Sequence, residues 1–295
     1  MSVGLTFAAE AEEVYAGTVW AAGVNQYNGW YDVDKSPTDA RDDMMCYAAS
    51  ASNLLAWWLN GDSGRQLTPT SPTKLEDIWA EFLTHCINPA SGGDPLAAVN
   101  WWISGVYAPT NEAEELRSVF NLLAADSSLI TLKVFDGYYF DQYGLNKESL
   151  AEFMTFTTDY TASYFGDLLK GGAGVSLLLN SETGALAHAI TLWGADYAGD
   201  GSLEKLWITD SDDDASALVS IDVRIGSNGK VYFDENGEIG DYEWYQYMGI
   251  TGIHIYGVSA IHPEASASWR LVPEPATTTL SLLTLAAMTL RRRRR

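Results

Sequence analysis

A helical pattern runs through DDMMCYAASASNLLAWW (42–58), where Ala48, Ala49, Ser52, Leu55, Ala56 and, just beyond, Leu59 recur at helical spacing. Residues that small predict a helix with one close-packing face. Asp42 and Asp43 stand where N-cap and first-turn acids belong. Farther along, ALAHAITLWGADY (185–197) is apolar and partly β-branched, and LEKLWITD (203–210) is strand-like. Between them YAGDGS (197–202) is rich in turn formers, so the two segments predict a hairpin with Gly199, Asp200 and Gly201 at its tip. GITGIHIYGVSAI (249–261) alternates like a further strand.

Both ends break from this patterning. An apolar run from Val3 to Ala9 leads into Ala9-Glu10-Ala11, an A-x-A-like pattern without a basic segment before it. Residues 1–11 are therefore either a signal-peptide remnant or a disordered terminus. At the other end Pro273 and Pro275 interrupt any preceding element, Ala276–Leu290 carries no charge, and five arginines follow. A helix over that run covers about 22 Å, short of the ~30 Å hydrocarbon core. A marginal span closed by arginines fits the positive-inside rule, with everything before it on the outer side. The body between, roughly 12–270, reads as one domain.

Composition narrows the function. The chain has 295 residues, 47% of them hydrophobic and 12% aromatic, enough for a sizeable core. A net charge of −22 leaves no basic stripe for phosphates, which excludes nucleic acid as a partner. Two cysteines are too few for a disulfide framework. No Cys/His set has zinc spacing, and neither a P-loop nor a dinucleotide glycine pattern occurs. The run Asp210-x-Asp212-x-Asp214 starts like a calcium loop. Its sixth position is Ala215 and its twelfth Ile221, which do not suit an EF-hand, so Asp213 and Asp214 read as a solvated turn.

The candidate chemistry starts at Cys46. A thiol in the first turn of a helix faces unpaired N–H groups and the positive end of the dipole, and both favour thiolate. The competing reading makes Cys46 a small core hydrophobe. Cys86, in LTHCINP, reads as a spare thiol, with His85 diverging from it on the helix surface. Of the remaining histidines, His262 precedes a proline and His254 suits an ordinary strand position. His188 is different. A hairpin centred near Gly199 has a constant index sum of roughly 398, which sets Asp210 opposite His188 on one face. A carboxylate there accepts the Nδ1–H of the imidazole and fixes its tautomer, as in a nucleophile–base–orienter triad. Chance placement of an acid opposite a hairpin histidine is the alternative. From the residues alone Lys35 reads as a solvated surface lysine.

Taken together, GWYDVDK (29–35), DDMMCYAASASNLLAWW (42–58), AHAITLWGADY (187–197) and WITDSD (207–212) resemble the streptococcal immunoglobulin G-degrading cysteine proteases, the IdeS/Mac family. The blocks fall in the family's order and cover about a fifth of the chain. DGYYFD (136–141) resembles a further family segment, and the rest of 62–170 is left unmatched. The resemblance implies an α+β, papain-like fold, with a helical part carrying the nucleophile packed on an antiparallel sheet. It makes Cys46 the nucleophile, His188 the general base and later acid, and Asp210 the orienting group. Asp212 becomes a second acid supporting Lys35 or its loop, and Lys35 shares an oxyanion hole with the Cys46 N–H. No metal or organic cofactor is implied, and the substrate is a protein, an immunoglobulin or another host or surface protein.

Two departures stand out. Tyr47 replaces the family's usual glycine after the nucleophile, which would reshape the oxyanion side of the cleft, and SPTDARDDMM (36–45) is one residue longer than its family counterpart. The tail, 271–295, resembles the PEP-CTERM sorting signal of Gram-negative bacteria, with Pro273-Glu274-Pro275 as its motif. That resemblance implies an exosortase-type partner, transient membrane contact and export to the cell surface or medium. Amidase- or transglutaminase-type acyl transfer on the same triad, and a catalytically silent surface binder, are the alternative functions.

Overall fold

The computed structural model describes residues 14–36, 42–61, 72–85, 93–104, 154–184, 186–212, 216–233 and 250–262. The N-terminal segment 1–11, Cys86, the 136–141 block, Asp213, Asp214 and the 271–295 tail lie outside them. Among the described residues no helix is long and apolar enough to cross a membrane.

Four helices and eight strands are described, an α+β architecture in which every strand pairing is antiparallel. The strands are β1 (Gly17–Trp20), β2 (Met154–Thr157), β3 (Gly174–Asn180), β4 (Ala187–Tyr197), β5 (Leu203–Thr209), β6 (Val219–Ile225), β7 (Val231–Phe233) and β8 (His254–Ile261). The order β4-β3-β8-β7-β6-β5 returns to β4 through the β4–β5 pairing, so the ladder closes on itself. β1 extends the β4 edge beyond the end of β3, and β2 lies along β8.

The helices are α1 (Cys46–Asn60), α2 (Leu75–His85), α3 (Pro95–Ser104) and α4 (Ala162–Lys170). α1 packs on β3 and β4 on one side and on α2 and α3 on the other. Every residue from Cys46 to Leu59 is buried, so the single close-packing face expected from the pattern is replaced by burial all round. Alanines and serines make this possible, because they let neighbouring backbones approach the helix from both layers. The acids ahead of α1 also differ from expectation. Met45 is the N-cap and no side chain caps the helix. Asp42 instead accepts the Ser36 N–H at 3.0 Å, holding the incoming chain.

α3 begins with a sequence signal of its own. Asp94 accepts the Ala97 N–H at 3.0 Å, and Pro95 occupies the first helical position, where its missing N–H costs nothing. α4 ends in a Schellman motif: Gly172, at φ +76°, donates to Leu169 O, and Ala173 donates to Leu168 O. The chain then runs straight into β3.

Candidate active site

Five side chains from four separate parts of the chain form one continuous set of contacts. Cys46 is the first residue of α1, and His188 is the second residue of β4. Asp210 and Asp212 follow directly after β5, and Lys35 closes the segment that leads away from β1. His188 Nε2–H donates to Asp210 Oδ1 at 2.7 Å, and the Cys46 side chain hydrogen-bonds the same imidazole. With Nε2 committed to Asp210, Nδ1 is the nitrogen left for the thiol. The ring is therefore used the opposite way round from the Nδ1–carboxylate bond expected from the sequence. Asp210 Oδ1 also accepts the Asp212 N–H at 3.0 Å, so one oxygen fixes both the imidazole and the acidic turn.

The His188–Asp210 contact arises by a different register from the expected one. Thr191 faces Thr209, an index sum of 400, and the ladder stops there. The hairpin loop is 198–202, centred one residue later than expected, which sets the sum at 400, and irregularities at Trp193 and between Asp196 and Tyr197 offset each other. Asp210 is consequently not the cross-strand partner of His188. It lies one residue past the end of the strand, on the diagonal, within reach of a long side chain on the same face.

Lys35 is no solvated lysine. Its side chain is only 9% exposed, its ammonium pairs with Asp212 Oδ1 at 2.5 Å, and it donates to the Asp43 carbonyl at 2.8 Å. Its backbone N–H donates to Ser211 O at 2.9 Å. Asp43 lies three residues before Cys46, so the cation stands beside the start of α1. Asp212 Oδ2 lies 3.8 Å from His188 Nδ1, which joins the lysine pair to the imidazole. Tyr47 departs from expectation as well. Its ring is buried over Gly93, where any Cβ would collide with it at about 2.5 Å, so the phenol fills the core.

Electrostatics follow from this geometry. Cys46, His188 and Asp210 are all buried. Burial alone pushes the His188 pKa down, but the charges of Asp210 and Cys46, with their hydrogen bonds, outweigh it and raise it well above the ordinary histidine value. The imidazolium is therefore the favoured form of His188 beside the Asp210 carboxylate. His188, Asp210 and Asp212 also offer donor atoms within 4.8 Å of one another, a spacing that could hold a metal ion. The Lys35 ammonium on Asp212 and the Nε2–H bond to Asp210 put those donors to another use.

The sequence reading missed the polar seam beneath these residues. Ser50 and Asn53 follow Cys46 on the same helical stripe and are buried against the sheet. Ser50 bonds the hydroxyls of Ser176 and Thr191, and Asn53 Nδ2 reaches Thr191 and Thr209. Polar residues at i+4 and i+7 from the cysteine, in an otherwise Ala/Leu helix, were the available signal.

A buried cysteine at a helix start, an acid-held histidine and a lysine–carboxylate pair define a cysteine–histidine–acid site on an α+β scaffold. Over residues 4–66 and 133–239, more than half its length, the chain matches the Mac-1 family (Mac 1), and it belongs to that family. It is also similar to a protein named IgM protease from Streptococcus suis (strain P1/7), at 25% identity over 214 residues. That match covers 63% of this chain and 18% of the relative, so the chain spans less than a fifth of the relative's length.

Proposed function

We propose that this protein is a cysteine endopeptidase of the IdeS/Mac type that cleaves a protein substrate. The observation that carries this reading is the imidazole of His188, bonded at once to Asp210 and to the side chain of Cys46 at the head of α1. The helix-borne nucleophile set against a sheet-borne base and acid supports a papain-like arrangement within a catalytic domain of about 12–270.

The chemistry follows from the placement of each group. The Cys46 thiolate attacks the scissile carbonyl carbon, and the carbonyl π pair moves onto oxygen. The Cys46 N–H and the Lys35 ammonium stabilise that oxyanion, and Asp212 holds the lysine in place. His188 gives its proton to the leaving amine as the C–N bond breaks, which leaves a thioester. Water then loses a proton to His188 and attacks the thioester carbonyl; the C–S bond breaks, the carboxylic acid product leaves, and Cys46 departs as the thiolate beside the imidazolium, which is the resting pair. Asp210 keeps the ring oriented and stabilises its cationic form throughout.

An immunoglobulin is the first substrate to test, given the name of the streptococcal relative. The tail at 271–295 supports export and exosortase-type processing in a Gram-negative host, with the catalytic domain acting outside the cell. The experiment incubates the full chain with purified immunoglobulin classes and other surface proteins, then sequences the new termini, with Cys46→Ala in parallel. Discrete new termini formed by the parent alone support the reading. An intact panel, or cleavage that persists in Cys46→Ala, refutes it.

A further inference from the structure

Thr209 lies outside the five site residues, yet its hydroxyl touches every element that carries them. Oγ1 donates to Tyr31 O at 3.0 Å and accepts from Trp193 Nε1 at 2.9 Å. Asn53 Nδ2 approaches the same oxygen at 3.4 Å. A hydroxyl has one hydrogen and two lone pairs, so these three contacts exhaust its capacity and fix its direction. Tyr31 belongs to the segment that ends in Lys35, Trp193 lies in β4 with His188, and Asn53 lies in α1 with Cys46. The next residue in the chain is Asp210.

Thr209 also occupies a structural boundary. Its pairing with Thr191 is the last rung of the β4–β5 ladder, after which the backbone is free of the sheet. From there the bonds that hold the acidic turn include Asp210 to His188, the Asp212 N–H to Asp210, the Lys35 N–H to Ser211 O and the Lys35 ammonium to Asp212. The Lys35 segment is thus tied to β5 and this turn at Thr209 (from Tyr31 O), Ser211 (from the Lys35 N–H) and Asp212 (from the Lys35 ammonium). Thr209 is the tie that also reaches β4 and α1.

Stability does not account for this node. Polar groups between a helix and a sheet gain little over an apolar filling, and any left unmatched carry a penalty. Among the described residues, Asn53 Oδ1 is buried with no hydrogen-bond donor. We infer that Thr209 is a positioning residue, whose hydroxyl holds the Asp210 turn and the Lys35 segment in register with α1 so that Asp210 meets His188 at bonding distance. The inference rests on the catalytic reading above.

The test reads Cys46 directly and needs no substrate. The full chain is alkylated with iodoacetamide from about pH 5 to about pH 9, and the rates at the Cys46 and Cys86 peptides are followed separately by mass spectrometry. Thr209→Val keeps the shape and removes the hydroxyl, Thr209→Ser restores it, and Ser50→Ala removes a different buried hydroxyl that does not touch the acidic turn. Unfolding of each variant is measured alongside. In Thr209→Val the Cys46 rate near pH 6 should fall by about tenfold or more, because displacements of an ångström or less carry penalties of that order. Its pH profile should move toward that of Cys86. Thr209→Ser should stay within about threefold of the parent, and Ser50→Ala should keep the parent profile even where it loses stability.

A parental rate and profile in Thr209→Val would overturn the inference, as would an equal loss in Ser50→Ala. If Thr209→Val does not fold, Asn53→Ala cuts the node from the helix side and should lower the Cys46 rate in the same way; an unchanged rate there overturns the inference too. A parent chain whose Cys46 reacts no differently from Cys86 would instead sink the catalytic reading, and this inference with it.

Discussion

Asp94 holds a carboxylate at a helix start where water cannot reach it, and Asp94→Asn should therefore make the protein more stable at neutral pH than at acid pH. Burial pushes its pKa up to about 6 from 3.8, against the opposing pull of the Ala97 and Leu96 N–H groups. The side chain is 3% exposed. A carboxyl whose pKa is raised on folding binds more protons folded than unfolded across the interval between the two values. Stability thus falls as pH rises from about 4 to about 6, and the full cost persists above that interval. At 1.36 kcal/mol per pH unit the shift corresponds to about 3 kcal/mol at neutral pH. Between about pH 4.5 and about pH 7.5 the expected change is about 2 kcal/mol. Asparagine is as good an N-cap as aspartate, so the bond to Ala97 survives while the buried charge disappears. Urea unfolding of parent and variant at both pH values measures the difference. The variant should gain on the parent by about 1–2 kcal/mol more at the higher pH, the lower figure allowing for weaker neutral hydrogen bonds. An equal gap at the two pH values would refute the reasoning, because the carboxylate would then carry no net burial penalty.

Cys46→Ala should abolish turnover and leave thermal unfolding within a few degrees of the parent, because α1 already packs alanines around that position. Asp210→Asn should lower kcat far more than it raises KM, by about 10²–10⁴, since an amide preserves the shape but not the charge that stabilises the imidazolium; an unchanged kcat in a folded variant would remove Asp210 from the reaction. Lys35→Ala should lower kcat and kcat/KM together by about 10²–10³, the cost of one oxyanion donor, while the exposed Lys74→Ala changes neither. A loss under about threefold in both lysine variants would mean that Lys35 only braces Asp212. The raised His188 pKa predicts that Cys46 alkylation stays fast well below the pH at which an ordinary thiol ionises, and a profile that rises only with free thiol ionisation would contradict it.

The helix that starts at Cys46 was legible because small residues at helical spacing are rare outside close-packed helices, and the hairpin because YAGDGS is dense in turn formers. The exact register was not. It depends on where the loop centres and on the irregularity at Trp193, and tryptophan carries no local signal for either. The acids Asp42 and Asp43 were misplaced by two or three residues, since an N-cap pattern cannot distinguish a capping carboxylate from one that bonds the preceding segment, as Asp42 does to Ser36. By contrast Asp94-Pro95 was a strong helix-start signal and went unread. Lys35 and Asp212 became interpretable only through family resemblance. Their ion pair joins chain segments far apart in sequence, and no periodicity encodes that. The same holds for Thr209, one hydroxyl among many until its three partners are brought around it.

The distribution of the site along the chain has a consequence in time. Lys35 and Cys46 are made early, whereas His188, Thr209 and Asp210 come from a hairpin that emerges from the ribosome only after well over half of the chain. At typical synthesis rates of about 5–20 residues per second, several seconds separate Cys46 from His188. During that interval α1 has neither β3 nor β4 to lie against. A nascent chain therefore holds Cys46 without the imidazole that it contacts in the fold. The contact between Cys46 and His188 arrives only with the β4–β5 hairpin, so the proposed catalytic pair is assembled late in synthesis.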